Sequence, residues 1–358
     1  MKRMRLLLAV IGAVASMSCL YSVAIAATPT KPLTVAVFGD FPYSPELLAK
    51  APLLLNSVNT DPDVRLVIHV GDIHSGSMPC TGAGLSPIPA GAVPGWNQGI
   101  FNIFQQFKDP VVYTPGDNEW TDCHKTKEKS SGAPLNELAA VRSLFFPNPG
   151  FALGSAGTEG KEVDSQANEF EGEFPTDGQF VENVMWKQSK VVFVTLNVPG
   201  SNNDGLPWSG SFLNEDARKK EVTERNAANL RWLDRAFHEG KKAAAMVIAL
   251  QANMWDPEAL AAGGDGLNGY DEFVQALANH AIAFGRPVLL LNGDSHVYGT
   301  DHPLADATSA TGVIHHTQVV PNLTRITVQG STSTPNEWLK LRIDPSSADV
   351  FSWNNVPY

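Results

Sequence analysis

The sequence predicts a mixed α/β fold in which two β-sheets stack as a sandwich with helices on the outer faces. Three observations carry that expectation. Four short apolar strands run into a Gly-Asp pair: TVAVFGD ends at Asp40, RLVIHVGD at Asp72, PVVYTPGD at Asp117 and PVLLLNGD at Asp294. Runs of Val, Ile and Leu with so little alternation read as strands buried on both faces, hence a mostly parallel sheet covered by helices. Helical patterns fall between these strands. The tail alternates polar and apolar residues in TRITVQ, EWLKLRID and DVFSW, which reads as antiparallel strands closing a second sheet.

The elements follow in order. MKRMR, the apolar run from Leu6 to Met17 and the small-residue pattern Ala24-Ile25-Ala26 match a secretory signal, residues 1–26. The mature chain, 27–358, is expected to be one domain in a periplasmic or secreted setting. An uncleaved membrane anchor is the alternative; nothing later is long and apolar enough to span a bilayer. After the first strand, Ser44-Pro45-Glu46 is a helix start, with Ser as N-cap and Pro at the first helical position. Leu47, Leu48, Ala51, Leu55 and Val58 then share a face, and Pro52 is expected to kink the helix. The second strand, from Arg65 to Val70, completes a βαβ unit. A Pro/Gly-rich loop from Cys80 to Gly95 leads to a short helix bearing Ile100, Phe101, Phe104 and Phe107, and to a strand from Val111 to Thr114. Residues 146–180 are poor in periodic apolar positions and read as a loop-rich insertion, a functional lid or a disordered segment. Further strands are expected from Val191 to Val198, Ala244 to Leu250 and Pro287 to Leu291, with helices from about Glu224 to His238 and near Tyr270 to Phe284.

Charge and cysteine content narrow the functions. Without Lys2, Arg3 and Arg5 of the signal, 23 of the 26 basic residues face 37 acidic ones, a balance of −14. That sign disfavours nucleic acid as a bulk ligand. Cys80 and Cys123 each follow a Gly-Asp strand end, and in an oxidising compartment they are expected to bond.

The four strand-end carboxylates are the chemical signal. In open α/β sheets the carboxyl ends of the strands share one rim where ligands bind. Unpaired carboxylates brought together there raise one another's pKa, and a cation is the common remedy. A lone Gly-Asp after a strand is often only a capping turn, whereas four point to a metal site.

The order and spacing of these motifs resemble the calcineurin-like metallophosphoesterase superfamily, which includes the purple acid phosphatases, over nearly the whole mature chain. GDFPY, GDIHSG, PGDNEW, ALQANMW and NGDSHVY match its five strand-end motifs. The resemblance implies an α/β/β/α sandwich and a site for two divalent or trivalent metal ions that hydrolyses phosphate mono- or diesters. Carried across by position, Asp40 matches the first metal ligand and Asp72 the carboxylate bridging both ions. Asp117 falls at the family's Asn ligand, Gln251 at its lone His, Asp294 at the first His of the last motif, and His296 at the second. Pro42 stands where the first motif has its His, and Tyr43 is a substitute ligand. Asn118 falls at the His that acts as general acid; His124 and His74 are substitutes for that role. Oxygen donors replacing imidazoles favour Mn, Fe, Mg or Ca over Zn.

His69 reads as a core residue, His238 and His280 as caps or surface groups, and His315 and His316 as members of a solvated loop. Asn197 and the GSNND loop end a strand at the rim and are either substrate contacts or an ordinary turn. The expected function is a secreted metal-dependent phosphoesterase acting on a small-molecule phosphate ester, with no membrane partner after signal cleavage. The alternative is a catalytically silent relative that binds a ligand at the same rim.

Overall fold

Val, Ile and Leu runs with no exposed face form the centre of both sheets. The computed structural model describes residues 31–84, 86–157 and 160–358. The secretory segment expected at residues 1–26 lies outside the described residues. The chain runs β1 (Leu33–Phe38), α1 (Pro45–Ala49), α2 (Ala51–Thr60), β2 (Val64–His69), α3 (Trp96–Phe104), β3 (Pro110–Tyr113), α4 (Pro134–Phe145) and β4 (Leu153–Gly154). It continues through β5 (Asp164–Ser165), α5 (Gln166–Glu169), β6 (Val184–Gln188), β7 (Val191–Thr195), α6 (Gly200–Asp204), α7 (Glu215–Glu239), β8 (Ala245–Ala249) and α8 (Asp271–Phe284). The last strands are β9 (Val288–Asn292), β10 (Gly299–Asp301), β11 (Leu323–Thr327), β12 (Glu337–Ile343) and β13 (Phe351–Pro357).

One sheet has six strands in the order β13-β12-β1-β2-β3-β4, and the other seven in the order β10-β11-β9-β8-β7-β6-β5. Their facing sides share an apolar layer that includes Val35, Val37, Leu66, Ile68, Val247, Leu289 and Leu291. Residues of α2, α3 and α4 cover the outer face of the first sheet, and α7 and α8 that of the second. This is the predicted two-sheet α/β sandwich. The strands β1-β2-β3 are parallel, as are β7-β8-β9, so the carboxyl ends of both triplets open onto one rim.

Local signals account for most elements. Ser44 caps α1 by accepting from Leu47 N, and the chain breaks at Lys50, so that Pro52 sits in the first turn of α2, where its missing N–H costs nothing. Two further expectations are corrected. The tail does not close the second sheet alone: β11 joins it parallel to β9, but β12 returns to pair antiparallel with β1 and carries β13 with it. The helix expected from Glu224 begins at Glu215, capped by the Asn214 side chain. Its first turns are polar, and its buried face includes Arg218, Arg225 and Asn229, so no apolar stripe announces it. Within the expected loop-rich insertion, residues 166–177 reach α7: Gln166 donates to the Ala228 carbonyl at 2.9 Å, Arg231 pairs with Asp177, and Arg235 bonds Glu169 at 2.9 Å.

Candidate functional site

The rim is built from loops that follow β1, β2, β3, β8 and β9. Backbone bonds hold the strand ends together: Asp40 N donates to Gly71 O at 2.9 Å, Phe41 N to Asp72 O at 3.0 Å, and Gly293 N to Gln251 O at 3.1 Å. Asp40, Asp72, Asp294 and His296 have φ of 49°, 59°, 74° and 61°, left-handed backbone that turns each side chain off its strand direction. Such conformations cost of order 1 kcal/mol apiece and persist only where the surroundings over-determine them. The repeated glycine has a packing reason. A Cβ on Gly116 would collide with Asp72 Oδ1, and one on Gly293 with Asp40 Oδ2, so the glycine of one motif makes room for the carboxylate of another.

On one flank, Asp40, Asp72 and His296 each bring a ligand atom within 4.8 Å of the others. The Tyr43 hydroxyl sits among them, 3.1 Å from Asp40 Oδ1, 2.8 Å from Asp72 Oδ2 and 3.1 Å from His296 Nε2. One phenol proton serves one acceptor, so most of this acceptor capacity faces no donor from Tyr43. Two carboxylates, an imidazole and a phenol oxygen at these spacings fit an ion with bonds of about 2.1 Å and an oxygen-rich shell. Burial raises Asp40 to about 7, with the Tyr43 hydroxyl and Asp294 N–H opposing and Asp117 and Glu119 adding repulsion. Burial also pushes Asp72 well above the usual carboxylate range, reinforced by the charges of Asp117, Glu119, Asp40 and Asp294. A bound cation would relieve both effects.

The other flank is compensated by the protein itself. Gln251 accepts from Gly200 N with its oxygen, so its amide nitrogen faces inward, 3.1 Å from Asp117 Oδ1 and 3.3 Å from Asp72 Oδ2. Asn118 likewise directs Nδ2 at Asp72 Oδ2, 2.9 Å away, and at the Tyr43 hydroxyl, 3.2 Å away. Both amides act here as donors. Asp294 is held by Asn253 N at 2.8 Å, and burial followed by the charge of Asp117 raises it well above the usual range. Asp117 is raised by burial and by Asp122, but Lys127, Lys125 and Ser201 oppose the rise.

Asp122, Lys125 and Lys127, absent from the motif reading, complete this flank together with Ser201 of the GSNND loop. Ser201 Oγ lies 2.8 Å from Asp117 Oδ2 and 2.7 Å from Asp122 Oδ1. Lys125 Nζ is 2.9 Å from Asp122 Oδ1, and Lys127 Nζ 2.9 Å from Asp122 Oδ2. Burial works to raise Asp122, but the two ammonium groups outweigh it and hold its pKa at about 2. Ser201 reaches the site because residues 201–204 of α6 all have φ between 54° and 59°, one turn of left-handed backbone. Side chains hold that turn: Asn202 bonds Gly269 N and Asn268, Asn203 bonds Asn226 and Arg225, and Asp204 accepts from Trp208 Nε1.

The remaining candidates direct their imidazoles to groups other than the rim carboxylates. His74 is buried, directs Nδ1 to Ser75 O at 3.1 Å and is lowered to about 4 by desolvation. His124 accepts from Ser209 N at Nδ1 and is lowered by burial. Both are neutral at neutral pH and anchored to other groups. The disulfide joins Cys80 to Cys123 with Cα atoms 5.7 Å apart, as the paired loop positions predict. Glu128, grouped with these two cysteines, therefore faces a disulfide and no thiolate ligand. His69 is a buried, neutral core residue lowered to about 3 by desolvation. His315 is not in a solvated loop: it is buried, 2.7 Å from both Asp271 Oδ1 and Met254 O. Asn197 is no rim contact either; it is fully buried and bonds Glu182 at 2.9 Å.

No known protein-family model matches the chain, and no curated protein matches it. Among solved structures the chain is similar to GAP50, described as the anchor in the inner membrane complex of Plasmodium. The TM-score is 0.42 at 9% identity, covering 91% of this chain and 89% of that one.

Proposed function

We propose that the protein is a metal-dependent phosphoesterase of the metallophosphoesterase type, acting on a small-molecule phosphate ester outside the cytoplasm. The observation that supports it is the corner formed by Asp40, Asp72 and His296 around the Tyr43 hydroxyl. Those residues would hold the first ion, with Mn, Fe, Mg or Ca preferred to Zn. Asp72 reaches toward both flanks and would bridge to a second ion beside Asp117 and Asp294; Gln251 would have to turn its amide to become a ligand. A metal ion so held supplies charge stabilisation for the phosphoryl oxygens and lowers the pKa of a water nucleophile. The chain's residues orient that centre: Asn118 Nδ2 and Gln251 Nε2 fix the Asp72 carboxylate, and Asp294 N–H fixes Asp40. With His74 and His124 neutral and turned away, no imidazolium stands ready to protonate a leaving group, so esters of acidic alcohols are the preferred substrates.

A second reading has its own support. The inward amides of Asn118 and Gln251 and the lysine pair already compensate the Asp117 flank, as in a protein that keeps the rim for binding and performs no chemistry. Metal analysis of purified protein together with aryl-phosphate hydrolysis in Mn²⁺ separates the two. Bound metal with turnover supports the enzyme, and a loaded site without turnover of any ester supports the binding protein.

A further inference from the structure

Resting on the phosphoesterase reading, we propose that Lys127 is the phosphate clamp of the site, its ammonium holding a phosphoryl oxygen against the Asp40–Asp72–His296 corner. Charge gives the reason. The rim gathers Asp40, Asp72, Asp117 and Asp294, which offset the charge of bound ions, and a phosphate ester adds one or two more negative charges, so a protein cation facing the substrate strengthens its attraction. Lys125 and Lys127 are the ammonium groups at the Asp117 flank. Lys125 is saturated, with its three N–H groups directed to Asp122 at 2.9 Å, Ser201 at 2.7 Å and Asp265 at 3.3 Å. Lys127 differs: its side chain is 51% exposed, and among the described residues its ion-pair partner is Asp122 alone, 2.9 Å away. Two of its three donors are thus available to a ligand.

Lys127 is placed close to the corner. A Cβ built on Gly76 would meet Asn118 Oδ1 at 2.5 Å and Lys127 Nζ at 3.0 Å, so both groups pack against the same glycine, which has no side chain to hold them off. Asn118 spans from that contact to Asp72, its Nδ2 being 2.9 Å from Asp72 Oδ2. Lys127 therefore stands one amide side chain away from the central carboxylate of the metal corner. Its charge also acts on both Asp117 and His296, which belong to opposite flanks. Asp122, buried and ionised, orients the ammonium from behind. Lysine is a common phosphate binder of this kind, a point charge on a flexible stem.

The alternative is a Lys127 that only neutralises Asp122, and it predicts a different result. The test titrates Mn²⁺-loaded protein with inorganic phosphate by calorimetry, comparing wild type with Lys127→Met and Lys127→Arg, with metal content and melting temperature measured on the same samples. The clamp predicts phosphate affinity reduced about tenfold or more in Lys127→Met, largely kept in Lys127→Arg, and unchanged metal content in both. Lys127→Gln serves as the neutral variant if Lys127→Met does not fold. Unchanged phosphate affinity with Mn²⁺ bound overturns the clamp, and so does a neutral variant that loses metal as well as phosphate. Wild-type protein that takes up no metal overturns the metal-centre reading itself, and the clamp with it.

Discussion

The two flanks of the rim use the same motif, a Gly-Asp pair at a strand end, and leave its carboxylate in opposite electrostatic states. Asp40 and Asp72 face a phenol and an imidazole, with backbone and amide donors but, among the described residues, no lysine or arginine bonded to them. Asp117 lies beside Ser201 and Asp122, with Lys125 and Lys127 behind. The same strand-end motif thus leaves Asp40 and Asp72 without a lysine or arginine partner and gives Asp117 two ammonium groups close by. On the Asp117 flank an ion would compete with two ammonium groups already in place.

The largest expected contrast is in metal uptake. Asp72→Asn removes a charge from the corner and the carboxylate that, among the described residues, is shared by both flanks, so it should lower bound metal by an order of magnitude or more. Asp117→Asn should lower it far less, and His124→Ala should leave it unchanged. Elemental analysis of the three folded variants decides this, and equal loss in Asp72→Asn and Asp117→Asn would erase the distinction between flanks.

The lysine flank also depends on covalent support, because Cys123 adjoins Asp122 and is bonded to Cys80 across 43 positions. Replacing both cysteines with Ala should destabilise the protein by about 4 kcal/mol, the loop-closure value for that length. Denaturant unfolding measures the loss.

A pH effect of comparable size comes from Glu137 of α4, which is fully buried and accepts from Ala83 N at 3.0 Å in the loop that carries Cys80. Desolvation raises it from 4.5 to about 7, against the backbone N–H groups of Ala83 and Gly82. Between those values the native state holds a proton that the unfolded chain releases. Stability should therefore fall as pH rises from about 4.5 to 7 and level off above, a total of about 3 kcal/mol. Glu137→Gln should flatten that limb of the stability profile; a profile unchanged by the substitution would place the titration elsewhere.

The smallest effect concerns the leaving group. Asn118→His should raise kcat/KM for an alkyl phosphate about tenfold while changing an aryl phosphate little, because only the poor leaving group needs the added acid. An equal gain on both would mean that the imidazole acts on the nucleophile or on phosphate binding.

The sequence made legible whatever is local. Buried strands, the Gly-Asp ends, the cap at Ser44, the cysteine pair and Tyr43 beside Asp40 all show within a few residues. The lysine flank was not legible, although Asp122, Lys125 and Lys127 follow Asp117 within ten positions. Their meaning depends on Ser201, 84 positions from Asp117, and on a left-handed turn that no residue pattern announces. The start of α7 was missed because the turns before Glu224 are polar and place Arg218 on the buried face, where apolar periodicity expects Leu. Alternation in the tail showed antiparallel strands but carries no mark of which sheet they join. His315 reads as exposed by its neighbours, and only tertiary contact with Asp271 and Met254 buries it.

The return of β12 to β1 has a kinetic meaning. Asp40, the first of the strand-end carboxylates, is fixed at its carbonyl by the Ser331 hydroxyl 291 positions later, and its strand is flanked on one side by residues 337–343. Contacts of that span form only after long loops close, so the corner of Asp40, Asp72 and His296 should be among the last parts of the molecule to acquire native order during refolding. Recovery of metal affinity should then lag behind recovery of helix, and a chain shortened before β12 should keep Asp72 and Asp117 in near-native loops while leaving Asp40 on an unpaired edge.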